Sequence, residues 1–361
     1  MHNVPLSSVC LSEREKRYVL EALDEGMISS SGSKVKIFED LISRRAGTEH
    51  AIATASGTAA LELVLRAMDI GPGDEVIVPA LTFATPALAV AVLGATPVFA
   101  DVTLETWTVD PLKVAELVTP RTRAVIAVDV LGHPCDYDEL RKLGVPIIED
   151  AAEAHGAAYK GRPVGSLGQA AIFSFHANKS ITCGEGGCVV TSDRSLAERV
   201  RRLNSFGMDT HRRYWHTETG SNYRMGNLVA AVAVGQMERW DELMAARRSV
   251  AESYDMALES LPLQRRPVAA WARESVWLYT VATERQESVL ASCSRNGIDA
   301  RAIWPALPRN PVFAGSRAEC PRAEAIASRA LWLPTWAGMT EDAVNAVCKA
   351  VAEAFGMKGG E

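Results

Sequence analysis

The chain has 361 residues, 48% of them hydrophobic and 23% charged, with a formal net charge of -6. That balance supports a full core and argues against both a disordered chain and a general nucleic-acid binder. The seven cysteines, scattered from Cys10 to Cys348 without a C-x-x-C pair, fit reduced thiols in a cytoplasm better than a disulfide framework or a zinc site.

The first residues, MHNVPLSSVCLSEREKR, lack a basic region followed by an apolar run, so no signal peptide is expected. Ser12 with Glu15 three residues on is the pattern of a capping box and predicts a helix that runs to about Glu25 and stops at Gly26. Ser29, Ser30, Ser31 and Gly32 form a polar loop that reads on its own as a solvated turn. Ile37, Phe38, Leu41 and Ile42 share one face of a helix expected over 35–45.

From 49 to 206, short apolar runs at 51–54, 75–78, 97–100, 124–128, 145–148, 171–175 and 188–191 alternate with helical stretches such as 59–68 and 86–93. Such alternation implies a mostly parallel sheet covered on both faces. The most apolar long stretch, 86–98, is too short to cross a bilayer, so no membrane contact is expected. Residues 205–225 turn polar, aromatic and basic, and a loop of that length is functional or disordered.

A long helix is expected over 227–258, with a domain boundary inside it near Met244. That gives a large α/β domain, 1–244, and a small C-terminal α+β domain, 245–361. The tail is read as an exposed strand at 276–281, helices at 287–295 and 341–355, and a proline-rich connection at 304–311.

Three stretches carry chemistry. In FSFHANKSITCGEGG, 173–187, Lys179 sits just past an apolar strand, and a lysine desolvated there becomes a nucleophile toward carbonyls. Read alone, without the stretches upstream, it is a surface lysine on a loop. In VPIIEDAAEAHG, 145–156, a strand ends in Glu149 and Asp150, facing the crevice where open α/β sheets bind ligands. The lesser alternative for Asp150 is a cap on a following helix. In ATASGTAALELVL, 53–65, a strand passes into a helix through Ser56, Gly57 and Thr58, where backbone N–H groups can cradle a phosphate. His155 and His176 have no ligand cluster beside them, so no metal is expected.

These blocks, with GMISSSGSKVKIFE (26–39), GPGDEVIVPALTFAT (71–85) and GSNYRMGNL (220–228), resemble the DegT/DnrJ/EryC1/StrS family of pyridoxal-phosphate-dependent aminotransferases over nearly the whole chain. TWTVDP (106–111), GHPCDYDEL (132–140) and RRYWH (212–216) look most like its perosamine-synthase type. The resemblance implies an aspartate-aminotransferase fold, the cofactor pyridoxal 5′-phosphate, and a shared-site homodimer. It implies transfer of an amino group, from glutamate in most of the family, to a nucleotide-linked keto sugar. C4 of a 4-keto-6-deoxyhexose is the first choice; another sugar position, a keto-cyclitol, or a non-catalytic protein of the same fold are the alternatives.

By the same resemblance Lys179 is the Schiff-base lysine and Asp150 the partner of the pyridine nitrogen. Phe83 stacks on the ring, though a phenylalanine alone reads as core. Gly57, Thr58 and Ser174 hold the phosphate, and Asn222, otherwise a turn residue, reaches it from the neighbouring subunit. Glu153 shares a proton with the phenolic oxygen. Ser31 and Arg224 are expected near the substrate. The chain departs from the family at Ser275–Tyr279, where relatives often show H-x-W-H-x-Y, and at Ala306–Pro308, where they often show P-L-H.

Overall fold

Residues 3–316 and 318–356 are described by the structure, a computed structural model. Ser12 accepts from the Arg14 N–H and Glu15 bonds back to the Ser12 N–H at 2.8 Å, so α1 (Glu13–Asp24) opens on a complete capping box. Then α2 (Ser33–Ala46) ends where Gly47 turns left-handed.

The central sheet follows: β1 (His50–Thr54), β2 (Glu75–Pro79), β3 (Thr96–Ala100), β4 (Thr122–Val128) and β5 (Ile147–Asp150). After a short hairpin, β6 (Ala158–Tyr159) and β7 (Arg162–Pro163), come β8 (Ala170–Ser174) and β9 (Gly187–Thr191). The seven long strands lie in the order β1-β9-β8-β5-β4-β2-β3. All run parallel except β9, which pairs antiparallel with both β1 and β8. Each expected strand is present within about two residues. The fifth extends further than its apolar run, through Glu149 and Asp150 themselves.

The connecting helices are α3 (Gly57–Ala67), α4 (Thr85–Val92), α5 (Pro111–Leu117), α6 (Tyr137–Arg141) and α7 (Arg194–Asn204). Alternate strand residues belong to different cores: Val76, Val78 and Ile148 pack on one face, Ile77, Val125 and Ile147 on the other. A sheet buried on both faces therefore reads as continuous apolar runs.

The long helix expected over 227–258 is two helices, α8 (Asn227–Glu238) and α9 (Trp240–Leu258), parted at Arg239. The Arg239 N–H bonds three residues back, to Gln236 O, and its backbone leaves the helical region at φ -101°, ψ 12°. Its guanidinium is pinned to the carboxylate of Glu15 (3.1 Å) and to Cys10 O (3.1 Å). No glycine or proline marks the break.

Beyond it, β10 (Gln264–Arg265), β11 (Ala272–Arg273), β12 (Tyr279–Ala282), α10 (Gln286–Arg295), β13 (Arg301–Ala302), α11 (Pro321–Ala327), β14 (Ala330–Leu333) and α12 (Glu341–Ala354) complete the chain. The strand read as exposed is an inner one: β12 lies between β10 and β14, with Tyr279 and Val281 buried. Its partners come from distant segments, which the local sequence does not reveal. Met244, the expected boundary, falls inside α9; Leu243 packs with the sheet core and Val250 with the C-terminal core. Val4, at the start of the chain, also packs in the C-terminal core, bridging to Ile298.

Removing Arg239 would take the cationic partner from Glu15, whose side chain is 1% exposed, and leave that carboxylate only its neutral donors Ser12 and Gln236. Arg239→Ala is expected to lower unfolding stability by on the order of 3 kcal/mol. Urea denaturation checks this, and a loss within about 0.5 kcal/mol, typical of a surface change, would show that the pair does not hold the junction.

Candidate active site

One edge of the sheet collects the chemistry. At the carboxyl ends of β1, β2, β4, β5 and β8 stand Gly57, Phe83, Val128, Asp150 and Ser174, and Gly186 enters from the amino end of β9. They line a cavity of about 410 Å³ that also holds Thr58, Glu153 and Lys179. Ligand sites of open α/β sheets lie at this edge because the strands end there and leave a crevice.

Lys179 is nearly enclosed, its side chain 11% exposed, with Nζ 3.7 Å from Glu153 Oε1 and 4.0 Å from the centre of the Trp277 ring. Burial pulls its pKa below the usual lysine value, against the opposing pull of Glu153 and Asp150. The loop that carries it is braced from α9. Buried Arg247 donates to the carbonyls of Lys179 (3.3 Å), Trp277 (2.5 Å) and Thr335 (3.1 Å).

Glu153 is no surface residue. It is buried, and its Oε2 accepts the Leu131 N–H at 2.8 Å. Leu131 holds a left-handed conformation at φ 55°, a strain of about 1–2 kcal/mol that aims its N–H. Burial raises the pKa of Glu153, and Lys179 opposes that. Asp150 does not cap a helix; a turn follows it, in which its Oδ1 accepts the Ala152 N–H at 3.1 Å. Burial lifts Asp150 to about 6, although the Ala152 N–H and Lys179 draw it down.

At the other end of the cavity, Ser56 caps α3 by accepting from the Ala59 N–H at 3.1 Å. The first N–H groups of a helix have no partner inside it and favour an anion. Packing here is tight: a Cβ on Gly57 would lie 3.0 Å from Ser174 Cβ, and one on Gly187 would lie 2.3 Å from the Ser56 carbonyl carbon. These residues fit pyridoxal phosphate. Asp150 is a buried carboxyl in want of a cation, the α3 terminus suits a phosphate, and Lys179 supplies the amine between them. Phe83 is 56% exposed at the cavity, so the core alternative for it fails and a flat apolar face is free for a ring.

Asn222, Ser31 and Arg224 are not brought to this cavity. Ser31 and Arg224 line a separate pocket of about 340 Å³ with Asn204 and Arg201. Arg224 donates there to Ser30 Oγ at 3.1 Å. Asn222 is exposed, bridged to Ser205. His155 is a core residue stacked on Phe173, its pKa lowered to about 3 by burial, and His176 lies half-exposed at the cavity rim. No group of metal-ligating side chains is assembled among the described residues. Arg247, Leu131, Trp304 and Trp332 had no signal of their own in the sequence.

Beneath Asp150, on the opposite face of the sheet, lies a second pair of acids. Glu149 accepts backbone N–H bonds from Gly165 and Leu167, and Asp129 Oδ1 accepts from the Cys135 N–H (2.9 Å) and the Tyr137 hydroxyl (2.8 Å). Asp129 Oδ2 is buried without a donor, next to Glu149. A proton held on Asp129 and shared with Glu149 satisfies both. Burial raises both carboxyls, and each charge raises Asp129 further.

Acids with a raised folded pKa stabilise the protein below their unfolded pKa, and that stability is lost as pH climbs. Asp129→Asn keeps the hydrogen bonds without the titrating proton. Its melting temperature should gain on the parent's as pH rises from 4.5, the ordinary value for glutamate, toward about 7. A difference that stays constant over that range would contradict the shared proton.

The chain matches the DegT/DnrJ/EryC1/StrS aminotransferase family over residues 9–352. It is 41% identical to a GDP-perosamine synthase of Caulobacter vibrioides, covering 97% of this chain and 99% of the relative. It is also 41% identical to a dTDP-3-amino-3,4,6-trideoxy-alpha-D-glucose transaminase of Streptomyces venezuelae, over 84% of this chain and 82% of that one. The crystal structure of 3-amino-5-hydroxybenzoic acid synthase superposes with a TM-score of 0.90 at 33% identity, over 98% of this chain and 99% of that one. The fold is thus the aspartate-aminotransferase type, and the chain belongs to the DegT/DnrJ/EryC1/StrS family of pyridoxal-phosphate-dependent aminotransferases.

Proposed function

We propose that this protein moves an amino group from glutamate to the C4 keto group of a nucleotide-linked 4-keto-6-deoxyhexose. The observation that carries the reading is the buried Lys179 amine, held between Glu153 and Trp277 in the cavity that also contains Asp150 and the α3 terminus. The sugar follows from likeness to the GDP-perosamine synthases.

Bound, pyridoxal phosphate supplies a carbonyl carbon that takes up the amino group and a ring that withdraws electrons. Lys179 Nζ would hold that carbon and, once free, would take the proton from the donor's α-carbon. Asp150 would keep the ring nitrogen protonated. The α3 N-terminus, with Gly57, Thr58 and Ser174, would hold the phosphate, and Phe83 would cover the ring. Glu153, fixed by the Leu131 N–H, would share a proton with the phenolic oxygen.

We assign Asn222, Ser31 and Arg224 to the site of a partner chain in a homodimer, since their own cavity lies elsewhere. Seven free cysteines fit a reducing cytoplasm. No helix among the described residues is long and apolar enough to cross a membrane.

Three outcomes are expected. Incubation with glutamate and a panel of GDP-, dTDP- and UDP-linked 4-keto-6-deoxyhexoses should yield one aminated sugar by mass spectrometry; no amination of any would sink the reading. Asp150→Asn should still bind the cofactor but turn over more slowly. The lost charge-assisted bond, about 1.5–3 kcal/mol, corresponds to about one to two decades of rate, and near-normal turnover would count against its role. Finally, inactive Lys179→Ala and inactive Asn222→Ala chains, mixed under subunit exchange, should regain activity through one intact shared site. Confirmed heterodimers without activity would rule out the shared site.

A further inference from the structure

The cavity beside Lys179 has two unlike sides. One is polar, built from Gly57, Thr58, Ser174, Asp150 and Glu153. The other is carbon: Trp277, Trp304 and Trp332, with Leu6 and Leu278 beside them. The three indoles pack as a unit. Trp277 lies nearly parallel to Trp304, centroids 6.1 Å apart at 14°, and Trp332 stands edge-on to both, at 5.8 and 4.8 Å.

Two of their polar atoms are unavailable to a ligand. Trp277 Nε1–H is donated to Asn178 O at 2.9 Å, and Trp332 Nε1 is sealed from solvent with no acceptor among the described residues. A hydroxyl pressed against the Trp277 and Trp332 faces would leave its water partners and gain none from those two indoles, whereas a methyl group would lose nothing. The wall also begins at the reacting group. Lys179 Nζ lies 4.0 Å from the Trp277 ring centre, so substituents flanking a carbonyl carbon that reacts there fall against the indoles.

We propose that the Trp277–Trp304–Trp332 wall selects a sugar whose carbon next to the ketone bears a methyl rather than a hydroxymethyl group. Trp304 is the specificity-determining residue. Trp277 and Trp332 are buried in the core, while Trp304 is half-buried and closes the wall where a ligand enters, so it can be replaced without opening the interior. The inference rests on the nucleotide-sugar reading above and adds the residue that reads the sugar.

The test uses the holoenzyme and matched pairs of ligands, a nucleotide-linked 6-deoxyhexose and the nucleotide-linked hexose that differs only in the C6 hydroxyl, with GDP, dTDP and UDP in turn. Calorimetry should show the deoxy sugar bound about 10- to 100-fold more tightly by the parent, the range an apolar pocket achieves against an added hydroxyl. In Trp304→Ala the two should fall within about threefold of each other, since the wall is breached. Trp304→Gln, which offers a hydrogen-bond partner, should shift preference further toward the hexose. Equal binding by the parent, or a preference unchanged in both variants, would overturn the proposal while leaving the nucleotide-sugar reading in place. Binding of neither sugar with any nucleotide would remove that reading and the wall's role together.

Discussion

Holding one ammonium where there is little water is the constraint on which the site depends. Burial disfavours the charged form of Lys179, while Glu153 and the Trp277 face favour it. The balance leaves an amine that can lose its proton at modest cost, as a nucleophile toward a carbonyl must. Each partner is itself held from elsewhere. Glu153 depends on the left-handed Leu131, the Trp277 carbonyl on Arg247, and Arg247 on three carbonyls bonded by its two terminal nitrogens. Arg247 is buried without a carboxylate partner among the described residues, and burial lowers its pKa to about 10. Backbone carbonyls can hold a guanidinium in place without adding a negative charge near Lys179.

Strand alternation sorts the acids by face. Asp150, at the last position of β5, shares the cavity face with Ile148 and Ile172, and Glu149 turns to the other side with Asp129. Three ionised carboxyls so close together, all buried, would repel strongly. A proton shared between Asp129 and Glu149 removes one of those charges, which leaves Asp150 the more easily ionised. Distant parts of the chain meet at the same place. Trp277, Trp304 and Trp332 come from its C-terminal part and share a core with β2, β4 and β5. The cavity is walled by these three indoles and floored by the ends of the sheet strands.

Much of this was legible in the sequence. The strands of a doubly covered sheet are apolar throughout, so their positions could be read from short runs, and the capping box of α1 from two residues. Lys179, Asp150, Gly57 and Thr58, read from their places at strand ends, meet at one cavity with Phe83, Glu153 and Ser174, which only the family resemblance had pointed to. Other features were hidden for physical reasons. That both acids at the end of the fifth strand are buried was not legible, since acids have low strand propensity and their burial here comes from tertiary packing. The break at Arg239 coincides with a long-range ion pair to Glu15, which no local pattern encodes. The tryptophan wall joins three separate segments, and single aromatics read as core until the fold brings them together. Asn222, Ser31 and Arg224 lie outside the cavity of their own chain, and one sequence cannot say which copy they serve.

The central claim is that Lys179 is the amine that holds the cofactor. Borohydride reduction of the holoprotein fixes that bond, and peptide mapping by mass spectrometry locates the added pyridoxyl group. The expected result is a single label on Lys179, within residues 173–187. A label on any other lysine, or none on a protein shown to carry the cofactor, would contradict it.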